Sequence, residues 1–174
     1  MPRFGEANRL PSGWRLWKPS GANTINGVIV LNQDFKEFLA LLARHDVRYL
    51  IVGGYSVALH GYPRYTRNLD VWVLTDERNA QALVAALDEF GFGSLGLKAA
   101  DFREPGRVVQ LGRPPARIDL LTSLTGVEFA DCWQNKVDVD VDGIALPVIS
   151  LDDLRVNKRA LGRHQDLADL ENLE

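Results

Sequence analysis

The chain has 174 residues, 46% of them hydrophobic and 25% charged, with a formal net charge of -3 at pH 7. That length supports one buried core, with roughly 70% of the unfolded surface removed from water, and the balance of residues excludes a disordered, collagenous or fibrous chain. A single cysteine, Cys132, excludes a disulfide scaffold and a four-cysteine zinc module and fits a reducing, cytoplasmic address.

Residues 1–30 read as a leader of uncertain order, in which Pro, Gly, Ser and Asn recur at short intervals and Trp14 and Trp17 are the large anchors. A flexible arm, a partner-docking segment and an over-called start site all remain open for it. Residues 31–174 read as a single domain. Charge divides in the same way: the leader carries four basic side chains against Glu6, and the domain carries sixteen basic and twenty-two acidic ones. An acidic domain argues against a broad duplex-binding surface, which depends on many Lys and Arg phosphate contacts. No apolar run approaches the length of about 20 residues of a membrane-spanning helix, and the first 30 residues lack the apolar stretch of a signal peptide. Neither a membrane partner nor export is expected.

Behind a candidate Asn32 cap, Phe35, Phe38, Leu39 and Leu42 fall at helical spacing. Residues 47–52 predict a buried strand that ends at Gly53-Gly54, and residues 55–60 a short helix stopped by Gly61. After the irregular passage HGYPRYTR, residues 68–74 predict a second strand, and Thr75, Asp76 and Glu77 open a helix that Gly91 closes. Residues 107–111 and 116–122 predict strands joined through GRPP, and residues 137–141 and 144–149 predict a hairpin across Asp142-Gly143. Ser150, with Asp153 three residues on, marks a further helix start, and two helical segments finish the chain around Gly162.

The segment LIVGGYSVALHGYPRYTRNLDVWV concentrates the chemistry. Glycine serves where backbone turns sharply or lets a ligand approach, and free N–H groups behind it favour an anion, so Gly53 and Gly54 are candidates for a phosphate cradle. Strand alternation projects Asn68 and Asp70 from one face while Leu69 and Val71 point into the core. Asp119 lies inside the apolar strand ARIDLLT, where an ionised carboxylate is costly unless paired or metal-bound. On the helix after Ser150, Arg155, Lys158 and Arg159 share a face. They suit a phosphate or simply complement the helix dipole. Arg163 follows in the same ending, and Asp166 and Asp169 read as partners for these cations or as caps. His60 reads as a packing or capping residue, Trp72 and Trp133 as core, and Cys132 lacks the basic neighbours of a reactive thiol.

In order along the chain, the glycine pair, the Arg-x-Thr passage, the acidic strand, the Asp119 strand and the ending SLDDLRVNKRALGRHQDLADLENL resemble the DNA polymerase β-like nucleotidyltransferase superfamily. HGYPRYTRNLDVWV and that ending look like the small bacterial branch related to the AbiEii-type toxins of abortive-infection and toxin–antitoxin systems. The resemblance covers about residues 32–173. It implies an α/β (α+β) nucleotidyltransferase fold: a small mixed β-sheet with helices packed mainly on one face and the site at its open edge. It further implies transfer of a nucleotidyl group from a nucleoside triphosphate (NTP) to a hydroxyl acceptor such as tRNA or protein, with release of pyrophosphate and with a possible cognate antitoxin as partner. Mg²⁺ or Mn²⁺ is the implied cofactor, held by Asp70 and Asp119, with Asp119 also the general base. Gly53, Gly54, Tyr55, Arg64, Thr66 and Lys158 are the implied nucleotide and phosphate contacts. Small-molecule modification of the aminoglycoside type also lies within the superfamily.

The chain departs from that pattern at Asn68, where the first carboxylate belongs. An amide offers one carbonyl oxygen to a cation and no negative charge, so metal affinity and activation fall. A weakened or altered enzyme, a nucleotide-binding pseudoenzyme or partner-binding protein, and a deliberately inactivated chain are the three readings of that residue.

Overall fold

The computed structural model describes residues 15–17, 29–62, 66, 68–113 and 117–173. Inside the expected leader, β1 (Arg15–Trp17) pairs antiparallel with β2 (Ile29–Leu31), which crosses the leader's end. A helix α1 (Gln33–Arg44) follows, and the Asn32 side chain caps it by accepting from the Phe35 N–H at 2.7 Å. Strand β3 (Tyr49–Val52) runs directly into the short helix α2 (Gly53–Leu59), and β4 (Asn68–Val73) is the next element.

Helix α3 (Glu77–Leu87) starts at an Asp76 cap that accepts from the Asn79 N–H at 2.7 Å. It widens through Asp88–Phe92, where Gly91 takes a φ of 113° that side chains rarely adopt. Strands β5 (Val108–Leu111) and β6 (Arg117–Leu121) come next, then α4 (Phe129–Asn135) and the hairpin of β7 (Val137–Val141) and β8 (Ile144–Val148). At its tip Asp142 and Gly143 both have positive φ, 55° and 82°, the geometry that an Asp-Gly hairpin turn requires. The Ser150 hydroxyl caps α5 (Leu151–Leu161), Gly162 ends it in the left-handed region at φ 63°, and α6 (His164–Leu173) closes the described chain.

The six-stranded sheet has the order β5-β6-β4-β3-β8-β7. It is mixed: β4 runs parallel to β6 and β3 to β8, and the remaining neighbours are antiparallel. The α/β class and the small mixed sheet are as the sequence leads one to expect. The larger core lies on the face of Ile51, Leu69, Val71, Ile118 and Leu120, packed by Phe35, Phe38 and Leu42 of α1 and by Leu83 and Leu87 of α3. Alternation sends Leu50, Val52 and Trp72 to the other face, where Cys132, Leu154 and Leu173 from α4, α5 and α6 make a smaller cluster. Phe129 packs edge-on against Trp72 at 5.0 Å and stacks on Trp133 at 5.8 Å. The expectation of helices mainly on one face describes the larger core, and α4 to α6 add a partial second layer. That second layer shares its face with Asn68, Asp70 and Asp119. No helix among the described residues is long and apolar enough to cross a membrane.

Candidate active site

Parallel pairing of β4 with β6 sets Asp70 directly opposite Asp119, and Asn68 opposite Arg117. All four side chains therefore project from one face of two neighbouring central strands. The Asn68 amide nitrogen donates to Asp70 Oδ1 at 2.8 Å and to Asp119 Oδ2 at 3.0 Å, so one point is shared by both carboxylates. Arg117 grips Asp119 with two parallel bonds, Nε to Oδ1 at 2.7 Å and a terminal nitrogen to Oδ2 at 2.8 Å. Asp119 is 6% exposed, and this pairing is what its placement in an apolar strand demands.

On the other side, β4 pairs antiparallel with β3 and puts Asp70 against Val52, the residue before α2. The Gly54 backbone N–H donates to the Asp70 carboxylate. Gly53 has a φ of +64°, and a Cβ built there would come within 2.1 Å of Asp70 Oδ2. Glycine is thus required twice over at residue 53, by the backbone angle and by the carboxylate lying against it. Burial raises the Asp70 carboxyl and the charge of Asp119 raises it further. Arg117, Asn68 and Gly54 pull it down, and the balance leaves it pushed up to about 6.

The sequence-expected residues separate into two groups. Gly53, Gly54, Asn68, Asp70 and Asp119 come together as described. Thr66 sits at the site's margin and donates its hydroxyl to the Asn68 carbonyl oxygen at 3.2 Å. Arg64 lies outside the described residues. Tyr55 turns its ring away, into the larger core and edge-on to Phe35 at 5.9 Å, so its backbone is what it can present to an anion. Lys158, expected to touch phosphate, instead holds Asp166 at 3.0 Å and Asp169 at 2.7 Å, with all three side chains buried. Its ammonium is committed to two carboxylates because α6 folds back along α5. His60 bonds the Ile149 carbonyl oxygen at 2.7 Å and joins α2 to the end of β8, in keeping with a packing role.

Arg117 is a participant that the sequence reading passed over. Its signal was available, since a residue two positions before Asp119 on a strand shares its face.

A family model described as "Nucleotidyltransferase of unknown function (DUF6036)" matches residues 30–174. The chain belongs to this family. Among solved structures, the DUF6036 chain is similar to a nucleotidyltransferase candidate from Thermotoga maritima (TM1012), at 18% identity and a TM-score of 0.52, covering 79% of this chain and 88% of that one. It is equally similar to the lincosamide antibiotic adenylyltransferase LnuA in its lincomycin-bound form, at 15% identity and a TM-score of 0.52, with 82% and 96% covered. At those identities the likeness establishes a shared nucleotidyltransferase fold. No curated protein matches the chain significantly.

Proposed function

We propose that this DUF6036 protein is a Mg²⁺-dependent nucleotidyltransferase that moves a nucleotidyl group from an NTP to a hydroxyl acceptor. The observation that carries this reading is the shared point between Asp70 and Asp119, 2.8 and 3.0 Å from one oxygen of each. Among the described residues no cluster of three His, Cys, Asp or Glu side chains surrounds a common position. Two carboxylates are nevertheless the usual protein share for Mg²⁺, whose other ligands are phosphate oxygens and water. The donor set fits Mg²⁺ or Mn²⁺ held by Asp70 and Asp119. When bound, the ion supplies charge neutralisation at the phosphates.

The chain's own residues do the positioning. Gly54 and Asn68 orient Asp70, and Arg117 locks the plane of Asp119. A carboxylate has about four acceptor positions, and Asp119 spends three of them on Arg117 and Asn68. As held, Asp119 therefore serves as cation ligand or as base for the acceptor hydroxyl, and doing both requires the Asn68 amide to turn away.

The same bridge favours a second reading, in which Asn68 occupies the place of a cation and the protein binds nucleotide with little turnover. A toxin role, an AbiEii-type ancestry and a tRNA or protein acceptor rest on the motif resemblance alone. The test combines thermal stabilisation by each NTP, with Mg²⁺ and with EDTA, and release of labelled pyrophosphate in the presence of total RNA, protein extract or a lincosamide. Mg²⁺-dependent stabilisation with pyrophosphate release is expected. Stabilisation without release supports the binding protein, and no response to any NTP removes both readings.

A further inference from the structure

Arg163 stands between α5 and α6 with its side chain 70% exposed, yet it is held in place. Its Nε and a terminal nitrogen donate to Asp166 at 2.6 and 3.4 Å. A guanidinium carries five N–H donors in a rigid fork, so three remain for another acceptor. Asp166 is itself immobilised: it is buried, and its Oδ1 accepts from Lys158, which also holds Asp169. Gln165 donates to the Asp169 carboxylate at 3.1 Å and adds no charge. Lys158, Asp166 and Asp169 together leave one negative charge, and Arg163 balances it from the solvent side.

Helices α5 and α6 cover the sheet face that carries Asp70 and Asp119, and the charge of Asp70 acts on the Arg163 guanidinium. An oriented and still open cation therefore belongs to the helix pair that covers the sheet face carrying two carboxylates and one committed arginine. A triphosphate bound there brings several negative charges of its own, and a planar fork is the side chain best matched to phosphate oxygens. Lys158 cannot serve in this way while both of its carboxylates are buried with it.

We infer that Arg163 binds the triphosphate of the substrate, with Asp166 orienting its guanidinium and Lys158 acting as the buried counter-ion that fixes Asp166. The inference rests on the nucleotidyl-transfer reading and names a contact within it. Calorimetry on the full chain with Mg²⁺, using ATP, GTP, CTP and UTP and then the nucleoside of the tightest binder, separates the two. Arg163→Ala and Arg163→Gln are each expected to weaken triphosphate binding about tenfold or more, the scale of losing hydrogen bonds between charged groups, and to leave nucleoside binding unchanged. The glutamine variant keeps a donor to Asp166, so retained loss in both assigns the effect to the guanidinium and not to the cluster's packing. Triphosphate affinity equal to wild type in either variant, or equal losses for nucleoside and triphosphate, overturns the Arg163 assignment and leaves nucleotidyl transfer standing. Failure of the wild-type protein to bind any of the four triphosphates overturns both.

Discussion

Two clusters of charged side chains share one sheet face and are built on opposite charge balances. At β4 and β6, Asp70 and Asp119 face Arg117 and a neutral amide. At α5 and α6, Asp166 and Asp169 are matched by Lys158 and Arg163. The aspartates respond accordingly. Burial and the neighbouring carboxylate push Asp70 up to about 6. Burial also works to raise Asp166, but the hydrogen bonds from Arg163 and Lys158 outweigh it and hold that carboxyl below its usual range. A cluster with matched charge is satisfied internally, whereas one short of positive charge favours a further cation.

Lys158→Met breaks the comparison most severely, because it leaves two buried carboxylates with Arg163 as their described cation. Removing one partner of a buried pair typically costs about 3–5 kcal/mol. Urea unfolding is expected to show a loss of that order, partly recovered when Asp169→Asn is added. A loss under about 1 kcal/mol would mean that the cluster does not hold α6 to α5.

The opposite sign is expected at Asp70. Its folded-state pKa of about 6 lies above the ordinary 3.8, so the folded state binds the proton more tightly than the unfolded state. The resulting stability is complete below about pH 4 and is lost as pH rises through 6. In EDTA, Asp70→Asn should therefore be more stable than wild type at pH 7.5, by roughly 1–3 kcal/mol, and the gain should vanish near pH 4. On the Mg²⁺-dependent reading, added Mg²⁺ should restore the wild type and leave the variant unchanged. Parallel unfolding curves at the two pH values check this, and a gain independent of pH counts against the charge explanation.

What the sequence made legible follows from range. The caps at Asn32, Asp76 and Ser150 and the Asp142-Gly143 turn are decided within a few residues, and all four are in place. The two-residue alternation that put Asn68 and Asp70 on one face needed no partner strand. Helix α4 went unread although Phe129, Cys132 and Trp133 have helical spacing, because two turns give too short a pattern to stand out. Gly53 read as part of a phosphate turn, and its nearest neighbour proves to be the carboxylate of Asp70 across a strand pair. Lys158 was one of three cations on a helix face. Which of them is buried was decided beyond the turn at Gly162, by Asp166 and Asp169. Register and helix packing, which no local pattern encodes, chose the partners.

A last substitution sharpens the comparison at its most unusual residue. Asn68 supplies the N–H groups that let Asp70 and Asp119 share one point without a metal. Asn68→Asp removes that donor and sets a third carboxylate beside the other two, so in EDTA the protein should lose about 2 kcal/mol, the scale of a hydrogen bond to a charged group. The same charge strengthens the pull on a divalent cation. Mg²⁺ is therefore expected to bind the variant more tightly than wild type in calorimetry, to restore its thermal midpoint, and to raise pyrophosphate release. A variant that folds normally, binds Mg²⁺ no better and turns over no faster would place residue 68 outside the cation's coordination. The amide would then be a fastener for the two strands, and the excess negative charge at Asp70 and Asp119 would need another ligand to explain it.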